Sequence, residues 1–204
     1  CALEAPGCMH TAHVGALLAN GKLARNNHVT CVSLKQRIAS YCCTRVPHWL
    51  VSAVLGVHLR GTDKFITPKV GPERYLPLID AFVRNHEQGP RTALIYLATD
   101  DRAYQQAIVK RYGERRVMQL MDGGVARAAG DAAIWKSGGA GRRLGVQVLL
   151  ETILLSRCDH LLKASSSVSE FAVYLKMGRD GSVDAADFAY DFAIRDQALP
   201  PWAT

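Results

Sequence analysis

Four short apolar runs, each separated from the next by a helical pattern, constrain this chain more than any other feature. Val54–Leu59 is interrupted only by Gly56 and His58, Leu94–Ala98 is continuous, Arg116–Leu120 is weaker, and Leu161-Leu162 with their neighbours form the fourth. Runs of this length read as strands buried on both faces. Between them, Tyr75, Leu78, Ile79, Phe82 and Val83 share one helical face, with Pro77 required to sit near the helix start or to kink it. Thr99 or Asp100 can cap a helix through Tyr104, Ala107 and Ile108 that stops at Gly113. A long apolar helix covers about 143–156, and Ser167 with Glu170 forms a capping box opening a helix through Phe171, Val173, Tyr174 and Leu175. Strands alternating with helices imply an α/β fold, a Rossmann-like, mostly parallel sheet with helices on both faces.

The regular pattern begins near residue 50. Residues 1–50 hold five of the six cysteines, the turn signal Asn20-Gly21 and a helix candidate over 33–50 closed by Pro47. They read as a partial N-terminal segment or linker, and 51–204 as the folded domain. The cluster Cys8, His10 and His13 lacks a second pair of ligands at metal-site spacing, and no CxxC pair occurs, so no metal centre is expected. The chain opens on Cys1 rather than Met, as a fragment would. It carries no run near the roughly 18 apolar residues of a membrane span and no signal-peptide pattern, so any membrane association would run through segments absent from this chain. Ser137–Gly141 reads as a flexible glycine-rich loop.

The formal charge of +7 suits anionic ligands or an ordinary basic surface. No basic run is interleaved with aromatics, which argues against nucleic acid as a partner. No GxGxxG follows the first strand, no GxxxxGK[ST] occurs, and Ser166 lacks a GxSxG elbow. Dinucleotide dehydrogenases, P-loop enzymes and α/β-hydrolases are therefore disfavoured.

Three polar clusters follow strands directly: His58–Lys64, Thr99–Asp101 and Ser165–Ser167. In an open parallel sheet such clusters meet at one edge, where ligands bind. In VHLRGTDK, Arg60 offers a planar fork for a diphosphate, Lys64 a point charge, and Gly61 a tight turn. The alternative is a turn in which Asp63 pairs with Arg60. In KASSSVSEFA, the serines open a helix whose free N–H groups favour an anion, and ordinary capping is the alternative. Glu151 shares a stripe with Leu144, Val148 and Leu155. It is either a partner for base N–H donors, as guanine has, or a surface glutamate.

VHLRGTDK, LATDD and LLSRCDHLLKASSSVSEFAVYL resemble three motif regions of the α1,6-fucosyltransferase and O-fucosyltransferase superfamily over about residues 51–178. The resemblance implies the C-terminal, nucleotide-binding half of a GT-B glycosyltransferase. It also implies inverting, metal-independent transfer from GDP-fucose to a glycan or protein acceptor, with no cofactor. Arg60 would hold the β-phosphate, His58 and Glu151 the nucleoside, and Ser165 and Ser166 phosphate, with Thr99, Asp100 and Asp101 in support. Arg60, Asp63 and Lys64 would form the catalytic group. A second Arg of the family is Gly61 here and its catalytic Glu is Pro68, leaving Asp63 and Glu73 as base candidates. The acceptor would be held largely by a preceding half, so this chain alone is expected to bind nucleotide without transferring sugar. A non-catalytic nucleotide-sugar-binding module descended from such an enzyme is the alternative. For a eukaryotic source, the resemblance implies the Golgi and secretory pathway.

Overall fold

The computed structural model describes residues 51–61, 69–87, 89–120 and 141–203, all within one compact unit, Leu34–Thr204. The cysteine-rich segment with Cys8, His10 and His13, the helix expected over 33–50, the loop before Gly141, and Asp63, Lys64 and Pro68 lie outside the described residues.

The elements run β1 (Val51–Leu59), α1 (Pro72–His86), β2 (Thr92–Thr99), α2 (Arg102–Tyr112), β3 (Val117–Met118), α3 (Gly141–Leu155), β4 (His160–Lys163), α4 (Ser167–Arg179), α5 (Ala185–Phe188) and β5 (Ala189–Asp191). A 3₁₀ turn, Pro201–Ala203, follows. The five strands form one parallel sheet in the order β3-β2-β1-β4-β5. This is the expected Rossmann-like α/β architecture. The first two crossovers build the sheet in one direction from β1, and the chain then returns to lay β4 against the other edge of β1.

Strand alternation sorts the core into two layers. Leu55, Val57, Leu59, Ile95 and Leu97 pack under α1 and α2 with Ile79, Phe82 and Ile108. Val54, Leu94, Tyr96 and Leu161 pack on the opposite face with Leu155, Ala172 and Phe188. Gly56 lies in mid-strand because a side chain there would press on Cys158 Sγ and Leu161, each 3.2 Å from an added Cβ. The Cys158 thiol is buried and donates to Leu154 O at 3.4 Å. The β1 ladder is irregular between Val51 and Val54. Asp159 supports it there, donating its N–H to Val54 O at 2.9 Å and accepting the Val54 N–H on Oδ2 at 2.8 Å.

Several boundaries differ from expectation. Pro72 opens α1, where a missing N–H costs nothing, and Pro77 lies inside the helix, removing one i→i−4 bond while the helix continues to His86. The third strand shrinks to two residues. Asp101, rather than Thr99 or Asp100, caps α2 by accepting from Ala103 N at 2.7 Å and Tyr104 N at 3.2 Å. Gly113 ends that helix as expected, with φ +81°. The box of Ser167 and Glu170 does not form. Ser166 is the N-cap, and Glu170 turns to Lys163 instead. A cation in reach holds a carboxylate more strongly than a neutral N–H does.

At the N-terminal end of the sheet, His160, His86, Phe82 and Trp202 form an aromatic cluster, with ring centroids 4.2 Å apart for Phe82 and His86 and 6.0 Å for the two histidines. Because carbonyls only accept, the proton sits on Nδ1 of His86 toward Phe82 O (2.9 Å) and on Nδ1 of His160 toward Asp187 O (3.4 Å). Burial pushes the His160 imidazole below its usual range, aided by His86 and Lys176 and opposed by the Asp187 carbonyl and Asp159. A folded pKa below the unfolded value of about 6.5 makes this contribution complete above that pH and erodes it as pH falls. Urea midpoints measured between pH 7.5 and 5.5 should therefore decline. The His160→Phe variant should show a shallower decline, and an unchanged slope would assign the titration to other groups.

Candidate functional site

The sheet order makes the C-terminal ends of β1 and β4 neighbours at the point where the connections diverge. Ligands bind at such switch points. Leu59 is in register with Thr99, and Val57 with Leu162, so the clusters after β1, β2 and β4 share one edge. Their convergence was the central sequence expectation.

The end of β1 is braced from β2. Gly61 donates its N–H to Asp100 Oδ1 at 2.8 Å, while Asp100 Oδ2 lies 3.8 Å from Arg60 Nε. One carboxylate thus holds both the turn and the guanidinium, and Arg60 remains partly exposed at the edge. The buried Thr99 hydroxyl accepts from Asp101 N at 3.2 Å. Asp101 is buried as the α2 cap. Both carboxylates of the LATDD segment are therefore committed to protein donors.

Gly61 is required by contact. A Cβ there would stand 2.5 Å from Asp101 Cβ and 2.7 Å from its Oδ2. Any side chain at position 61, including the second Arg of the fucosyltransferase pattern, must displace the residue that caps α2.

His58 is 7% exposed, and its carbonyl accepts from the Tyr75 hydroxyl at 3.2 Å. That phenol is pushed well above its ordinary range by burial, then by Asp191, so it is a neutral donor at any working pH. Glu151 is 9% exposed, which removes the surface-glutamate reading. Its expected stripe is only partly inward, since Leu155 is buried while Val148 is exposed. Strand alternation puts His58 on the sheet face that α3 and Glu151 cover. Glu73 sits in the first turn of α1 with its carboxylate folded back against Gly71.

Beyond β4, Ser165 is half-buried and Ser166 is 5% exposed. Ser166 Oγ makes no hydrogen bond among the described residues, although it occupies the N-cap of α4. An N-cap hydroxyl ordinarily accepts from the first turn. Here Ser169 fills part of that space, donating to Ala164 O at 3.1 Å or to Ser166 O at 3.0 Å.

Sequence reading missed one group. Lys163, 4% exposed, ends β4 and pairs with Asp191 at the end of β5 and with Glu170 of α4 at 2.5 Å. Asp191 also accepts from Ala193 N at 2.8 Å. The lysine was visible beside the serine turn, but Asp191 was not, because it lies 28 residues away on a strand of only three residues.

No family model matches the chain, and no curated protein matches it.

Three substitutions test this geometry. Lys163→Met leaves the Asp191 carboxylate buried without its cation and should cost about 3–5 kcal/mol in urea unfolding. Glu170→Gln, which changes the half-exposed member of its pair with Lys163, should cost under about 1 kcal/mol. Gly61→Ala should cost about 1–3 kcal/mol through overpacking against Asp101. A Gly61→Ala protein as stable as the parent would show that the turn can relax away from Asp101.

Proposed function

We propose that the β1–β4 edge binds the diphosphate of a nucleotide sugar, GDP-fucose by the motif resemblance, and that the chain is the donor-binding part of a fucosyltransferase. The observation that carries this reading is the buried Ser166 hydroxyl. It makes no hydrogen bond among the described residues, at the N-terminus of a thirteen-residue helix, and lies beside the strand end that carries Arg60. A helix N-terminus favours an anion, and a buried hydroxyl without a partner costs free energy until a ligand satisfies it.

On this reading Arg60, held from behind by Asp100, meets the β-phosphate, where charge grows as the sugar departs. Ser166, Ser165 and the first N–H groups of α4 meet phosphate oxygens. His58 and Glu151, on the α3 side of the sheet, face the nucleoside, and a carboxylate suits the N1 and N2 donors of guanine. In the transfer step an acceptor hydroxyl attacks the anomeric carbon from the side opposite GDP. The new glycosidic bond forms as the bond to phosphate oxygen breaks, and the acceptor proton passes to a base, Asp63 or Glu73. The acceptor is a glycan or protein hydroxyl. Pro68, where the family carries its catalytic Glu, favours a second reading in which the chain binds the donor without transferring it.

Calorimetric titration of the chain with GDP, UDP and ADP tests the assignment, with GDP expected to bind most tightly. Ser166→Ala should weaken GDP about ten-fold or more, since hydrogen bonds to charged groups contribute roughly 1.5–3 kcal/mol. Arg60→Lys should be nearly as damaging as Arg60→Ala, because the fork is lost in both. Equal affinities for the three nucleotides would remove the role given to Glu151. Unchanged binding by Ser166→Ala and Arg60→Lys together would remove the site. Incubation with GDP-fucose and a panel of glycans and peptides then separates transfer from binding alone.

A further inference from the structure

At the opposite end of the sheet, α1 and α2 leave a groove of about 380 Å³ lined by Asp80, Val83, Arg84, Arg111, Tyr112 and Arg116. It is a shallow depression open to solvent rather than an enclosed cavity. Arg91, Lys110 and Arg115 add three exposed cations where the same helices and strands end or begin. Around α1, α2 and the starts of β2 and β3, these six basic groups face three carboxylates, Asp80, Glu87 and Glu114.

The arginines are held but not saturated. Arg111 grips Asp80 through Nε at 3.3 Å and Nη2 at 2.5 Å, leaving Nη1. Arg116 pairs with Glu87 through Nη2, and its buried Nε makes no hydrogen bond among the described residues. Arg84 makes no ion pair among the described residues. Cations at helix C-termini are ordinary complements to the helix dipole. That ordinary role does not account for three guanidiniums lining one open groove, with Arg84, Arg111 Nη1 and Arg116 Nη1 left to donate.

The lining also selects among anions. Asp80 accepts hydrogen bonds and repels a bare polyanion, so the groove suits a ligand with both hydroxyls and a negative group. Val83 gives an apolar contact for a sugar ring. The Tyr112 hydroxyl is tied to Asp80 at 2.8 Å, and the Arg111 guanidinium lies 5.7 Å from its ring centroid, so that ring is not free to stack on a base. We propose that this groove is a second binding site, for saccharides carrying a sulfate or phosphate ester. The ester sits among Arg84, Arg111 and Arg116, and the hydroxyls face Asp80. The site is independent of the nucleotide edge and of the function proposed for it.

The test titrates the full chain with a sulfated disaccharide, its unsulfated counterpart, a hexose phosphate and a DNA duplex, at fixed ionic strength. One or both esters should bind, the better of the two identifying the source of the anion, and the unsulfated sugar should not. Arg84→Gln/Arg115→Gln removes two cations that make no ion pair among the described residues. It should weaken the ester ligand at least ten-fold while thermal stability and GDP titration stay as in the parent. Arg60→Lys should leave ester binding unchanged, so failure of either site is read separately. The proposal is overturned if neither ester binds, if the unsulfated sugar binds equally, if the double variant binds like the parent, or if DNA binds as tightly as the sulfated sugar.

Discussion

The rest of the structure depends on β1 being paired on both edges and covered on both faces. Its backbone is satisfied by β2 on one side and β4 on the other, and Leu55, Val57 and Leu59 are fully buried. A strand in that position can carry no exposed polar chemistry along its length. Its functional groups must gather where it leaves the sheet, and its two neighbours end beside it with their loops heading in opposite directions. The crevice is thus a consequence of strand order. Asp100 braces its β1 wall from the β2 side, using one oxygen for the backbone of the turn and the other for the guanidinium that the turn carries.

Charge follows the same polarity. At the C-terminal edge, Asp101 and Asp191 are buried, but each is matched, the first by helix N–H groups and the second by Lys163 and Ala193 N. Such groups hold geometry more than they add net stability, because desolvation offsets much of their attraction. At the N-terminal edge the helices end in Arg84 and in Lys110 and Arg111, where partial negative charge favours them. The two ends of the sheet are therefore built differently: the C-terminal edge pairs Arg60 and Lys163 with carboxylates, and the N-terminal edge under α1 and α2 is rimmed with guanidiniums.

The long strands were legible because an apolar run buried on both faces leaves a continuous signature, as Leu94–Ala98 does. The polar clusters were legible as abrupt ends to those runs. What could not be read was set by tertiary contact. β5 is Ala-Tyr-Asp, too short to show a period, and with it went the partner of Lys163. The cap was expected at Thr99 or Asp100, but Asp100 reaches to Gly61 and the next residue, Asp101, serves the helix. Glu170 was read locally as closing a box, but a buried lysine seven residues back drew it away. Pro77 was tolerated inside α1, whose apolar face is anchored by Tyr75, Ile79 and Phe82. The position of Glu151 left two readings open, and only its burial removes the surface one; of its apolar stripe, Leu155 is buried and Val148 exposed.

The close fit of Gly61 against Asp101 also restricts how this loop can change over evolutionary time. A side chain at position 61 collides with a residue whose own loss would uncap α2, so neither position can vary first without harm. Moving to an Arg-Arg pair at the end of β1 would need an earlier change that gives α2 another cap and draws residue 101 away. Substitutions at the two positions are therefore ordered, and a lineage lacking that intermediate stays confined to a single guanidinium at this edge.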